Sequence, residues 1–164
     1  MSRVMVTGAC GFIGHHVVQR LLDLGHDVVQ IDDLSAPTAA PNQGAEFLRR
    51  DVAQPKWYAG VRRVEGVIHL AASFANEKSV QDPAMDSRAN IQGTIETAMF
   101  AKRCEAKLLY AGSSSSYGAT LYQNGLPVPF RESDQCQPST PYALSKLTGE
   151  IYADMIGDQP LIVR

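Results

Sequence analysis

No stretch of eighteen consecutive apolar residues occurs in this chain, and its first residues run straight into an apolar strand pattern. Those two features argue against a membrane span and a signal peptide. An excess of one charge is also missing: 15 Lys and Arg stand against 17 Asp and Glu, a net charge of -2 at pH 7. Bulk electrostatics therefore predicts neither a nucleic-acid partner nor an anionic membrane surface. Cysteine is scarce and unpatterned. Cys10, Cys104 and Cys136 are odd in number and lack metal-ligand spacing, which points to a reducing, cytoplasmic setting and no bound metal. Cys10 reads as a small residue filling a glycine-rich turn in preference to a reactive thiol. Repeats, low-complexity tracts and interdomain linkers are absent too. The 164 residues are expected to form one domain, a length that buries roughly 70% of its unfolded surface.

What is present is concentrated at the start. Val4 to Gly14 reads V-M-V-T-G-A-C-G-F-I-G, a short apolar run that turns through glycines into a helical pattern. Val4, Met5 and Val6 suit a central parallel strand covered on both faces. Phe12, Ile13, Val17, Leu21 and Leu22 then recur near the 3.6-residue period, and Gly25 supplies a stop. Gly8 permits a tight turn, Gly11 lets the backbone approach a pyrophosphate, and Gly14 allows helix and strand to pack closely. An anion would sit at the helix N-terminus, against free N–H groups and the positive end of the dipole. Gly8, Gly11, Phe12, Ile13 and Gly14 are thus candidate dinucleotide-binding residues. A second strand pattern, Asp27 to Ile31, ends in Asp32 and Asp33, roughly the twenty-residue offset at which an acid meets a ribose 2′-hydroxyl. A carboxylate there repels a 2′-phosphate, and Leu34-Ser35-Ala36 brings no cation, so the expected cofactor is NAD, not NADP.

Further along, Ser35 to Gly44 reads as a surface loop. Glu46 to Arg50 and Gly66 to Leu70 read as strands, with His69 a satisfied core residue. Asp82 and Pro83 mark a helix start, followed by the apolar stripe Ile91, Ile95, Ala98 and Met99. Lys107 to Ala111 forms a fifth strand that runs into Gly112 and the hydroxyl cluster Ser113 to Ser116. Residues beyond the carboxyl end of a parallel strand are well placed for chemistry. Residues 119 to 138 suit an irregular excursion over the site. Ser139-Thr140-Pro141 opens a helix to about Ile156, and Leu161 to Val163 begins a sixth strand. Tyr142 and Lys146, four apart, project from one face of that helix. An ammonium beside a phenol favours the phenolate, which makes the pair a base for a sugar or alcohol hydroxyl.

T-G-A-C-G-F-I-G, the acidic end of the second strand, H-L-A-A, N-I-Q-G-T, S-S-S-S-Y-G and P-Y-A-L-S-K, in this order, resemble the extended short-chain dehydrogenase/reductase family. The likeness spans nearly the whole chain and is nearest to the sugar-nucleotide epimerases. The resemblance implies a doubly wound parallel α/β sheet, a Rossmann fold with helices on both faces, incomplete at its C-terminal end. It implies catalytic roles for Ser113, Tyr142 and Lys146, the last two also touching cofactor. It places Asp51 and Val52 near the adenine, Leu70, Ala71 and Ala72 along the cofactor, and Asn90 in support. A nucleotide-sugar substrate follows, and a homodimer is compatible. Family dehydratases carry an Asp-Glu pair where this chain has Ser114-Ser115, which disfavours dehydration. The family's smaller substrate-gripping lobe is missing, so residues 1–164 resemble an N-terminal NAD-binding portion. A reductase or dehydrogenase of the same family, and a non-catalytic NAD-binding module, remain open.

Overall fold

Strands of three to six residues, each built on a short apolar run and cut off by a polar or glycine turn, form the centre of the protein. The computed structural model describes residues 1–74, 76–120, 122–123 and 126–164. Strands β1 (Arg3–Thr7), β2 (Asp27–Asp32), β3 (Glu46–Arg49), β4 (Gly66–His69), β5 (Lys107–Ala111) and β8 (Leu161–Val163) form one parallel sheet in the order β3-β2-β1-β4-β5-β8. Pairings such as Met5 with Val29, Val6 with Ile68, and Tyr110 with Ile162 set the register. The order reverses between β1 and β4, and at that switch point ligands bind beyond the carboxyl ends of the strands. The short strands β6 (Tyr122–Gln123) and β7 (Leu126–Pro127) pair as a hairpin inside the expected excursion, of which residues 121, 124 and 125 lie outside the described residues.

Alternation of side chains along each strand separates two apolar layers. On one side Val6, Val28, Ile68 and Leu70 pack under helix α1 (Phe12–Asp23), chiefly against Val17, Val18, Leu21 and Leu22. On the other, Met5, Ile31, Val67, Leu108 and Tyr110 meet helices α4 (Gly93–Cys104) and α5 (Pro141–Ile156) and the β3–β4 crossover. That crossover contributes Trp57 and Tyr58, whose rings lie 5.8 and 5.3 Å from Phe100 of α4. The expected stops and starts are present. Gly25 follows α1 at φ +78, Asp82 accepts the Met85 N–H at 2.9 Å, and the Thr140 hydroxyl accepts the Ala143 N–H at 3.1 Å.

The second helical stretch departs from expectation. Instead of one helix with a buried apolar stripe, the chain forms α2 (Asn76–Gln81), α3 (Pro83–Ser87), a π-helical turn over Arg88–Gln92, and then α4. Asn90, Thr94, Thr97, Ala98 and Ala101 face the interior, while Met99 is 47% exposed and Ile91 and Ile95 are only partly buried. The extra residue of a π turn rotates the helix relative to a 3.6-residue projection. Close packing against α5 then selects small side chains for the inner face. Among the described residues no helix is long and apolar enough to cross a membrane, and no cluster of His, Cys, Asp and Glu is arranged to hold a metal ion.

Candidate active site

At the carboxyl ends of β1, β2, β4 and β5 the chain encloses a cavity of about 730 Å³. Gly8, Gly11, Phe12, Ile13 and Gly14 line one side of it, Asp32, Asp33, Asp51 and Val52 a second, and Leu70, Ala71 and Ala72 a third. Tyr142 and Lys146 complete it. The glycine turn is tightly specified. Gly8 stands at φ +66, and a Cβ there would lie 2.7 Å from the Ala71 nitrogen. A Cβ on Gly14 would run into the Gly8 carbonyl and come within 2.8 Å of Ala9 Cα. Gly11 is the N-cap of α1; its own position offers no side-chain cap, and the first turn contains no acid. The free N–H groups of that turn therefore face the cavity mouth without a side-chain acceptor, a chemistry that suits a phosphate.

Asp32 is anchored from two directions. Its Oδ2 accepts the Cys10 N–H at 2.9 Å and its Oδ1 the Leu34 N–H at 2.8 Å, which ties the end of β2 to the glycine turn. Asp33 turns to its own loop, accepting the Ser35 N–H at 2.8 Å and hydroxyl at 2.6 Å. Asp51 accepts the Ala53 N–H at 2.8 Å and pairs with Arg88 at 2.5 Å. Cys10 is fully buried, and burial with the nearby Asp32 charge pushes its thiol up to about 11, so it packs and does not react. A dinucleotide fits this arrangement: an anion site at a helix N-terminus, a backbone cradle that a Cβ would fill, and a carboxylate at the end of the second strand.

Two expected site residues, Asn90 and Ser113, adjoin the cavity without lining it. Asn90 does not reach the cavity; it is fully buried behind it, where its Oδ1 accepts the Ser73 N–H at 2.8 Å and its Nδ2 donates to the Ser73 carbonyl at 3.1 Å. It holds the loop after β4 in place. Ser113 follows the cavity-lining Gly112 and caps a 3-10 turn over Ser114–Tyr117, its Oγ accepting the Ser115 N–H at 3.2 Å. That bond uses an oxygen lone pair and leaves the hydroxyl hydrogen available to an incoming oxygen.

Tyr142 and Lys146 are carried by the first two turns of α5. Lys146 is only 4% exposed, and burial lowers its pKa to about 8 against the raising influence of Asp86 and Glu150. Its Nζ lies 4.5 Å from the centre of the Tyr110 ring, a cation–π contact. The Tyr110 hydroxyl donates to the Lys146 carbonyl at 2.9 Å and pins this turn of α5 to the sheet.

The sequence pattern of the NAD dependent epimerase/dehydratase family matches residues 4–161. The chain belongs to that family. A UDP-glucose 4-epimerase of Mycolicibacterium smegmatis is 35% identical over 161 residues, covering 93% of this chain and 50% of the relative. The crystal structure of the Thermotoga maritima UDP-glucose 4-epimerase with UDP-glucose superposes with a TM-score of 0.85 at 28% identity, covering 94% of this chain and 50% of that one. The Thermus thermophilus UDP-glucose 4-epimerase in complex with NAD gives a TM-score of 0.80 at 28% identity, covering 93% and 50%. This epimerase-family chain thus spans about half the length of these relatives.

Behind its cavity the family member carries a polar chain that leaves no periodic mark in the sequence. The Ala71 N–H donates to Thr7 Oγ1 at 3.2 Å, and Thr7 meets His69 Nδ1 at 2.7 Å. His69 Nε2 meets Thr94 Oγ1 at 3.2 Å, and that hydroxyl donates to the Asn90 carbonyl at 2.6 Å. With the Thr94 hydrogen engaged by Asn90, Nε2 must be the protonated nitrogen and Nδ1 the acceptor. Burial lowers the His69 pKa to about 3, so the ring is neutral.

Proposed function

We propose that this chain is the NAD-binding part of an epimerase that inverts a carbinol centre of a nucleotide-sugar by transient oxidation to a keto intermediate and re-reduction. The observation that carries this reading is the joint placement of Tyr142 and Lys146 on the wall of the cavity formed by the glycine turn and Asp32. Family membership and the UDP-glucose 4-epimerase relatives support it. NAD, when bound, supplies a hydride acceptor that returns the hydride to the same carbon. Gly8, Gly11 and Gly14 would admit its pyrophosphate to the N-terminus of α1, and Asp32 would meet its adenosine ribose. Tyr142 takes the proton of the substrate hydroxyl, and Ser113 donates a hydrogen bond to the same oxygen. Lys146 holds the nicotinamide ribose and presents positive charge to Tyr142.

The same proposal includes a homodimer. Leu144, Ile151 and Met155 of α5 and Met99 of neighbouring α4 are exposed, which suits pairing of two copies along these helices. Mass spectrometry of the ligand released by denaturing the purified chain tests the central reading. NAD is expected among the released molecules. Recovery of NADP, or of a nucleotide unrelated to either, would count against it. Net reduction of added NAD in the presence of substrate would instead mark a dehydrogenase of the same family.

A further inference from the structure

Asp86, on α3, is a residue to which the chemistry above assigns no part. It is 1% exposed, and its carboxylate receives two neutral donors: Asn90 Nδ2 at 3.1 Å on Oδ1 and the Ser145 hydroxyl at 2.5 Å on Oδ2. Among the described residues no Lys or Arg forms an ion pair with it. A buried carboxylate held only by neutral donors is costly unless a cation lies within reach of its field. Ser145, which Asp86 grips, is the residue before Lys146 in α5, and its Oγ also lies 3.0 Å from the Tyr142 carbonyl. One carboxylate therefore touches the turn that carries both members of the pair.

We infer that Asp86 is a positioning residue whose buried charge keeps the Lys146 ammonium protonated and whose bond to Ser145 fixes the turn of α5 bearing Tyr142 and Lys146. This rests on the reading of Tyr142 and Lys146 as the working pair.

Among the groups around Lys146, Asp86 raises its pKa most and Glu150 comes second. Glu150, one turn further along α5, is engaged by Arg164, whose Nε donates to Oε2 at 2.9 Å. On β4 His69 is neutral, and on β5 burial raises the Tyr110 phenol, which keeps it protonated. Tyr142 shares the helix and is itself the group to be tuned. Arg88 of the π turn is paired with Asp51, and Glu96 of α4 accepts the Lys56 N–H at 3.0 Å. Glu77 and Lys78 of α2 are exposed, and the 3-10 turn Ser114–Tyr117 brings only Ser and Tyr side chains. Asp86 is thus the buried anion near Lys146 with no cation of its own.

The test is an NMR titration of the purified chain labelled with carbon-13 at lysine Cε, with Lys146 assigned from Lys146→Met. The Lys146 midpoint is expected near 8 in the wild type. It should fall by about one unit or more in Asp86→Asn, a charge loss at short range, and return toward the wild-type value in Asp86→Glu. Ser145→Ala, which removes the bond but not the charge, should leave the midpoint in place. An unchanged midpoint in folded Asp86→Asn, or an equal fall in Ser145→Ala, would overturn the inference. Should Asp86→Asn fail to fold, wild-type chain labelled instead at the aspartate carboxyl carbon, with Asp86 assigned from Asp86→Glu, decides: that carbon should shift with the Lys146 midpoint, and a flat trace across that range rejects the proposal. None of these readouts needs cofactor or substrate, so failure of the epimerase reading shows separately, in the released-ligand measurement.

Discussion

Asp32 reaches the cavity with both carboxylate oxygens already holding backbone N–H groups, so its position is set before a ligand enters. Each oxygen keeps a further lone pair for a ribose hydroxyl. A 2′-phosphate in the same place would meet a fixed negative charge, a juxtaposition that costs several kcal/mol. NAD should therefore bind at least about a hundredfold more tightly than NADP, each 1.4 kcal/mol being a factor of ten. Because the side chain also ties Cys10 to Leu34, Asp32→Asn is the informative variant: it removes charge and keeps an acceptor. Isothermal titration should show the preference collapsing in that variant, and an unchanged ratio would take Asp32 out of the ribose site. Arg50 lines the same cavity and would favour NADP once the carboxylate is gone. The companion prediction concerns Tyr142. In the full-length enzyme Tyr142→Phe should lower turnover by roughly two orders of magnitude or more, the scale of a lost positioned acid/base; near-normal turnover would reassign the proton transfer.

Helix α1 enters the sheet so closely that its second residue after Phe12 has no room for a side chain. Gly14→Ala would press a methyl group against the Gly8 carbonyl and Ala9 backbone. Overpacking of this kind costs about 1–3 kcal/mol. Denaturant unfolding should show that loss, and the same displacement should weaken NAD binding; a variant of wild-type stability would mean that α1 can slide outward freely. This element was legible from residues alone, because glycine spacing, a period-3.6 stripe and a terminal glycine all agree. Helix α5 was legible from its start, which Thr140 and Pro141 mark. The stretch from Asn76 to Cys104 was not. Its stripe of Ile91, Ile95, Ala98 and Met99 follows the helical period, yet beyond the π turn only Ala98 of the four is fully buried, beside Thr94, Thr97 and Ala101, while Met99 is exposed and the two isoleucines are only partly covered. Periodicity reports which residues share a face; it does not say whether the apolar face or the small one meets the neighbouring helix.

For the molecule as a whole, the interior holds two basic side chains whose pKa values burial has lowered, His69 to about 3 and Lys146 to about 8. In both cases the unfolded chain binds a proton more readily than the folded one, so stability rises with pH between the folded and unfolded values. For His69 that window runs from about 3 to 6.5, full stability being reached above 6.5 and lost as pH falls. One proton corresponds to about 1.4 kcal/mol per pH unit. Unfolding free energies measured from pH 4 to 6 should therefore fall less steeply with acid in His69→Gln than in the wild type, by up to that slope, and equal slopes would mean that His69 is charged in the fold. The succession of strands and helices could be anticipated from the apolar runs and turns, and the doubly wound sheet from the family resemblance. The links Thr7–His69 and His69–Thr94, and the grip of Asp86 on Ser145, could not, since their partners lie 25 to 62 residues apart and follow no period.

Strand β8 closes the strand order on one side, paired with β5. Ile162 points into the apolar layer, whereas Leu161 and Val163 are 62% and 51% exposed on the opposite face. Its outer N–H and C=O groups, flanked by uncharged β-prone side chains, form a template for the addition of a further strand from any polypeptide. Unless such a strand is supplied, concentrated solutions of this chain carry an inherent tendency toward edge-to-edge self-association, and a lysine at position 161 or 163 is the change that would blunt it.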